Sequence, residues 1–216
     1  MSYAELHCHS YYSFHDGASS LEELMLRAKE LGYHALAVTD HDNLCGAMRF
    51  AQLAKSLELH GIIGTEITLK GGHHLTLLAK NRYGYANICR LITAAHASGE
   101  RNKPELPPEV LFEHTEGLVV LSGCLRGELT QLVDQERFTE AKDLIRQYLE
   151  WFGDNYYIEL QHNLVFGDTE RRAASQISTM STATCFLSPS MKDRCLMRYS
   201  GTMTCLPSSL AGNSVV

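Results

Sequence analysis

Short apolar runs alternate with stretches of helical period along this chain, and the alternation predicts its elements. Ala4-Glu5-Leu6-His7-Cys8 reads as a first strand. Ser19-Ser20 then precedes Leu21-Glu22-Glu23, the pattern of a capped helix start with acidic residues at its positive end, and the helix runs to about Leu31. Ala35 to Thr39 is a second strand. From about Gly46 to Leu57 the residues Met48, Ala51, Leu53, Ala54 and Leu57 recur at helical spacing. Ile62 to Leu69 and Leu75 to Ala79 read as the third and fourth strands. A helix over Tyr83 to Ala97 follows, with Ile88, Leu91, Ile92 and Ala95 on one face. Gly99 to Pro108 is a loop, and Pro107 or Pro108 starts a short helix, as proline does at a first helical position. Gly117 to Leu121 is a fifth strand. Phe138 to Phe152 is a helix with Leu144, Ile145, Tyr148 and Leu149 inward, and Tyr156 to Leu160 is a sixth strand.

Strand–helix alternation of this kind implies an α/β domain with a largely parallel sheet, and such folds gather functional side chains at the carboxyl ends of their strands. The polar candidates sit at those ends. His7 and His9 close the first strand, where residues two apart share a side and two imidazoles can reach one metal or adjacent metals; a surface pair is the plainer alternative. Asp16 lies in a loop before Gly17, which by itself is a turn signal. Thr39-Asp40-His41-Asp42-Asn43 ends the second strand, and reads either as metal-ligating residues or as a polar loop in which Asp42 or Asn43 caps the next helix. Glu66 interrupts an apolar strand, where an unpaired carboxylate is costly to bury and a metal removes the cost; a hydrogen-bonded edge position is the alternative. His73-His74 opens the fourth strand, and a surface pair is its plainer reading. Cys124 follows the fifth, as a small core residue or a thiolate ligand.

Each segment has a plain reading, but successive strands all delivering His, Asp, Glu or Cys to their ends is a joint pattern that chance rarely makes. A mixed imidazole and carboxylate set suits Zn²⁺, Mn²⁺ or Fe²⁺ better than Ca²⁺ or Mg²⁺. This many ligands points to two or three ions, which activate water and clamp phosphate oxygens in phosphoester hydrolysis.

Composition narrows the picture. The chain has 216 residues, enough for one domain with a real core and short for two. A formal net charge of −6 argues against broad binding to DNA through Lys and Arg, while leaving room for metal ions to supply local positive charge. Seven cysteines without paired spacing suggest neither a disulfide framework nor a zinc ribbon. No apolar h-region or bilayer-length run is present, so a cytoplasmic protein with mostly free thiols and no membrane partner is expected.

The segments LHCHSYYSFHDGAS, ALAVTDHDNLCGA, IIGTEITL, HHLTLLAKNRYGYANICRLIT and LVVLSGCLRGEL, in this order, resemble the PHP (polymerase and histidinol phosphatase) domain. More narrowly they resemble the amino-terminal domain of the bacterial DNA polymerase III alpha subunit family, and NYYIELQHNLVFGDTER looks most like its error-prone branch. The resemblance covers Ser2 to about Arg171. It implies a distorted (βα)₇ barrel with a trinuclear metal site, whose ligand pattern carries over onto His7, His9, Asp16, His41, Glu66, His74 and Cys124. Asp40 resembles the residue beside the second-strand ligand and is expected to serve the chemistry from there. Arg126, just past the fifth strand, is a candidate for steadying a phosphate, against the plainer reading of a solvated residue at a helix start.

The resemblance fails near its end. The family carries an Asn-Asp-Val-His type motif on the last barrel strand, yet no Asp-x-His occurs after Arg171. From about Ser175 the chain turns rich in Ser, Thr, Met and Cys, with Cys185, Cys195 and Cys205. The expectation is a PHP domain over residues 2–174, incomplete at its C-terminal end, followed by an aberrant or disordered tail over 175–216 of the kind a frameshift produces. The 216 residues hold no pattern expected of the polymerase core of such a family, so primer extension is not expected of them. The implied activity is metal-dependent phosphoesterase or 3′–5′ exonuclease action on a DNA 3′ end or another phosphoester, impaired by the lost ligands. In the full-length family, primer-template DNA and other polymerase components are the partners. A non-catalytic interaction module and a free-standing phosphatase of histidinol phosphatase type are the competing readings.

Overall fold

A computed structural model of the chain describes residues 3–161 and the strand Arg194–Arg198. The elements follow in the order β1 (Ala4–Glu5), α1 (Leu21–Glu30), β2 (Ala35–Val38), α2 (Ala47–Leu57), β3 (His60–Thr68), β4 (His74–Ala79), α3 (Arg82–Ser98), α4 (Pro108–Phe112), β5 (Leu118–Leu121), α5 (Glu128–Asp134), α6 (Phe138–Phe152), β6 (Tyr156–Gln161) and β7 (Arg194–Arg198). The fold class is α/β, as the alternating pattern predicts. The chain divides into two compact units. Among the described residues the first holds 3–72 and 76–118, and the second holds 73–75 and those from 119 onward.

In the first unit β1, β2 and β3 are parallel neighbours, with Ala4 opposite Ala35 and Ala35 opposite His60. Parallel pairing requires crossover connections, and α1 and α2 supply them. Ser20 caps α1 in a full capping box: its hydroxyl accepts from the Glu23 N–H, and the Glu23 carboxylate accepts from the Ser20 N–H. Behind the strands Leu21, Met25, Ala28, Leu36, Val38, Phe50, Ala54 and Leu59 form one core cluster. Each large side chain buried there contributes roughly 1.5–3 kcal/mol. Gly61 lets β3 approach α2 closely, since a Cβ there would meet the Ala54 methyl at 2.7 Å.

The structure revises the reading of α2. Phe50 is its anchor, 1% exposed, whereas Met48 is 72% exposed. The helix also has Gly46 at its N-cap with no side-chain cap bond. Asp42 and Asn43 therefore do not cap it: the Asp42 carboxylate turns to Thr68, and Asn43 Oδ1 accepts from the Cys45 N–H. The first strand is shorter than its pattern suggests, so His7 and His9 lie just beyond it.

In the second unit β5 and β6 pair in parallel, with Val120 opposite Tyr156, and β6 pairs antiparallel with β7. The sequence pattern gave no sign of α5. On α6, Ala141, Ile145, Tyr148 and Phe152 are buried. The Tyr148 ring stacks on Tyr156 at 5.1 Å between centroids, and burial pushes both phenols well above their ordinary pKa. Apart from β7, the segment 175–216 expected as a tail lies outside the described residues. Cys8, Cys45, Cys89 and Cys124 are free thiols. Among the described residues no helix is long and apolar enough to cross a membrane.

Candidate metal centre

The ends of β1, β2 and β3 bring three of the expected ligands, His7, His9 and His41, around a fourth, the Glu66 carboxylate. Glu66, near the end of β3, is fully buried at 0% exposure. Its Oε1 lies 3.4 Å from His7 Nε2, and its Oε2 lies 3.3 Å from His9 Nε2 and 3.2 Å from His41 Nδ1. The two imidazoles of the His-Cys-His motif approach each other at 3.2 Å between Nε2 atoms. The Cys8 backbone between them is tied to Thr39 at the end of β2, whose N–H donates to the Cys8 carbonyl at 2.8 Å. Thr76 Oγ1 lies 3.3 Å from His7 Nδ1, on the ring edge away from the cluster, which leaves Nε2 directed at Glu66.

Ligand atoms of His7, His9 and Glu66 all lie within 4.8 Å of one another. Donors about 2.1 Å from a tetrahedral ion stand about 3.4 Å apart, close to the separations around Glu66. The donor set thus fits a divalent metal in both chemistry and spacing. His41 adds a second argument. Its Nδ1 faces Glu66, and its Nε2 lies 3.1 Å from Asp16 Oδ2. A neutral imidazole carries a single N–H and satisfies one carboxylate, so a ring between two carboxylates calls for an extra proton or a cation.

Asp16 reaches this position through a tightly held loop. The Ser13 carbonyl accepts from the N–H groups of Asp16 and Gly17. A side chain at Gly17 would collide with the Ser10 carbonyl, which explains glycine there. The loop is fastened to β2 through Asp40, which is 3% exposed. The Asp40 carboxylate accepts from Ser10 N–H at 2.8 Å, Ser10 Oγ–H at 2.7 Å and Ser13 Oγ–H at 2.6 Å. Ser13 Oγ in turn accepts from the His41 N–H at 3.1 Å. The Asp40 carboxylate is thus tied to the loop that carries Asp16 and, through Ser13, to the His41 backbone. The sequence reading passed over Ser10 and Ser13, whose serines look like ordinary loop polarity until the loop is seen folded onto Asp40.

In the second unit His74 and Cys124 form a donor pair, with Sγ 3.7 Å from Nδ1. His74 is buried, and its N–H donates to the Arg126 carbonyl at 3.1 Å. The Arg126 N–H donates to Cys124 Sγ at 3.4 Å, while residue 126 as a whole is exposed. Ser122 closes β5 on β6: its N–H donates to the Tyr157 carbonyl, and its Oγ accepts from the Glu159 N–H at 3.0 Å.

The sequence profile of the PHP domain matches residues 5–163. The error-prone DNA polymerase of Symbiobacterium thermophilum is 43% identical over 184 aligned residues, covering 78% of this chain and 17% of that protein. DNA polymerase III subunit alpha of Treponema pallidum is 42% identical over 190 residues, covering 81% of this chain and 16% of its own length. The subunit from Deinococcus radiodurans is 40% identical over 180 residues, covering 74% and 14%. The chain therefore spans about a sixth of the length of these relatives, and both polymerase branches match at nearly equal identity. Together with the ligand-bearing motifs at successive strand ends, these matches identify the chain as a member of the PHP domain family, homologous to the N-terminal region of DNA polymerase III alpha subunits and error-prone DNA polymerases.

Proposed function

We propose that this chain carries a metal-dependent phosphoesterase site that acts on a phosphodiester at a DNA 3′ end. The observation that carries the reading is Glu66, a buried carboxylate facing three imidazole nitrogens at 3.2–3.4 Å. His7, His9, Asp16, His41 and Glu66 are the residues of the first unit that would hold ions, and His74 with Cys124 is a further donor pair. Bound divalent ions supply the Lewis acidity that activates water and neutralises phosphate charge. The chain's own residues fix the donors: Thr76 orients His7, the Asp40–Ser10–Ser13 network fixes the Asp16 loop, and Ser13 holds the His41 backbone. Arg126, exposed beside the His74–Cys124 pair, is suited to bind a phosphate oxygen as a bidentate donor. Zinc, manganese and iron suit the donor set better than calcium or magnesium.

The DNA substrate is inferred from the polymerase relatives. The test is cleavage of an oligonucleotide labelled near its 3′ end, with Zn²⁺, Mn²⁺ or Fe²⁺ and with a chelator. Metal-dependent loss of 3′ nucleotides that stops on chelation, and is absent in Glu66→Gln, supports the proposal. Metal binding without cleavage of any phosphoester would instead favour a non-catalytic module of a polymerase.

A further inference from the structure

Asp42 stands in a conformation that an L-residue rarely adopts, with φ +50° next to His41. Aspartate visits this region more readily than most residues, but glycine does so without strain. What the side chain contributes is visible in its contacts. Its carboxylate accepts from the Thr68 N–H at 2.8 Å and from the Thr68 hydroxyl at 2.7 Å. The Asp42 N–H donates to the Glu66 carbonyl at 2.9 Å. One residue thus grips β3 at Glu66 and again two residues further on. From α3, His96 Nε2 lies 2.9 Å from the Asp42 carbonyl and serves as its donor. Asn43 Nδ2 donates to the His41 carbonyl at 2.8 Å. Asp42 is itself buried, at 8% exposure.

The consequence falls on His41 and Glu66. The backbone between them is joined in a parallel bridge, and the His41 ring must span Asp16 and Glu66. Rotation of the 41–42 peptide would move that ring away from Glu66. We propose that Asp42, anchored by Thr68 and by His96, is a positioning residue that sets the His41–Glu66 geometry for the metal. This rests on the metal reading above. It differs from that reading in naming residues that touch no ion, and in bringing α3 into the control of the site.

The test is binding of Co²⁺ to the full chain after chelator treatment, read by its visible absorption spectrum and by competition with a coloured chelator. Melting of the metal-free proteins by circular dichroism serves as a check of folding. Asp42→Gly keeps the backbone groups and removes the strain, so a residue that matters only through strain would show equal or tighter binding. The proposal instead expects Kd to rise about 10- to 100-fold with an altered Co²⁺ spectrum, in the range found for residues that orient ligands. His96→Ala is expected to weaken binding about 10-fold. His96→Gln, whose amide nitrogen can stand where Nε2 stood, is expected to recover most of that loss. Should Asp42→Gly fail to fold, the two His96 variants decide. Wild-type affinity and spectrum in every folded variant would overturn the positioning role alone. A wild-type chain that takes up no Co²⁺ would overturn the metal reading and this proposal with it.

Discussion

Asp40 and Glu66 are carboxylates buried at the ends of neighbouring strands, and they are satisfied in opposite ways. Asp40 is ringed by neutral donors, a backbone N–H and two hydroxyls at 2.6–2.8 Å. These donors stabilise its charge within the protein and leave it little capacity for another ligand. Glu66 meets three imidazoles at 3.2–3.4 Å, groups that are acceptors as readily as donors. A carboxylate faced by imidazoles rather than by committed donors is suited to a cation, which is the reading proposed for it. The lesson is that burial of an acidic residue does not by itself mark chemistry. The nature of its neighbours separates a fastening from a ligand.

Substitutions at the two positions should therefore separate stability from metal binding. Asp40→Ala leaves Ser10 and Ser13 without their acceptor and frees the loop that carries Asp16. Hydrogen bonds to a buried charge contribute about 1.5–3 kcal/mol each and couple to one another, so a loss of about 3–5 kcal/mol is expected in urea unfolding. That loss should already be present in chelator, and with metal it should grow by about 1–2 kcal/mol, because the freed Asp16 loop holds the ion less well. A loss seen only with metal would move Asp40 into the ligand set.

Glu66→Gln should behave in the reverse way. In chelator its stability is expected within about 1 kcal/mol of wild type, since a buried charge has been removed. With metal at a hundredfold excess over Kd the wild type gains about 2.7 kcal/mol, and the variant gains little. Equal metal-induced shifts in melting temperature for both proteins would contradict the assignment.

The smallest effect concerns the opposite end of β3. The pKa of His60 is lowered, first by burial and then by neighbouring His34. As pH falls, the unfolded chain protonates this imidazole first, near the ordinary value of about 6.5. Stability present above that pH therefore declines below it, until the folded-state pKa is reached. Urea unfolding between pH 8 and pH 5 should show a shallower acid-side loss in His60→Gln than in wild type. Identical slopes would mean that His60 contributes nothing to the acid-side loss.

Much of this was legible in the sequence. The short apolar runs fixed β2 to β6 within a few residues, and the polar residues that closed them supplied every member of the Glu66 cluster. The phase of α2 was not legible. Met48 stands three residues before Ala51 and Phe50 four before Ala54, both helical spacings, and only packing against Gly61 and the α1 residues selects Phe50. The seven residues of α5 are too few to display a period. The roles of Asp42, Thr68 and His96 escaped for another reason. They depend on register between a loop, a strand and a helix far apart in the chain, which no local pattern carries. Asp40 illustrates the same limit, because its place beside a ligand was legible but its three donors were not.

The most direct test is the metal content of the purified chain after loading and dialysis, measured by inductively coupled plasma mass spectrometry for wild type and Glu66→Gln side by side. Wild type should retain at least one zinc, manganese or iron ion per chain, and Glu66→Gln should retain fewer while its circular dichroism spectrum in chelator matches that of wild type. Equal content in the two proteins, or no metal in the wild type, would contradict the account of Glu66 as the centre of a metal site.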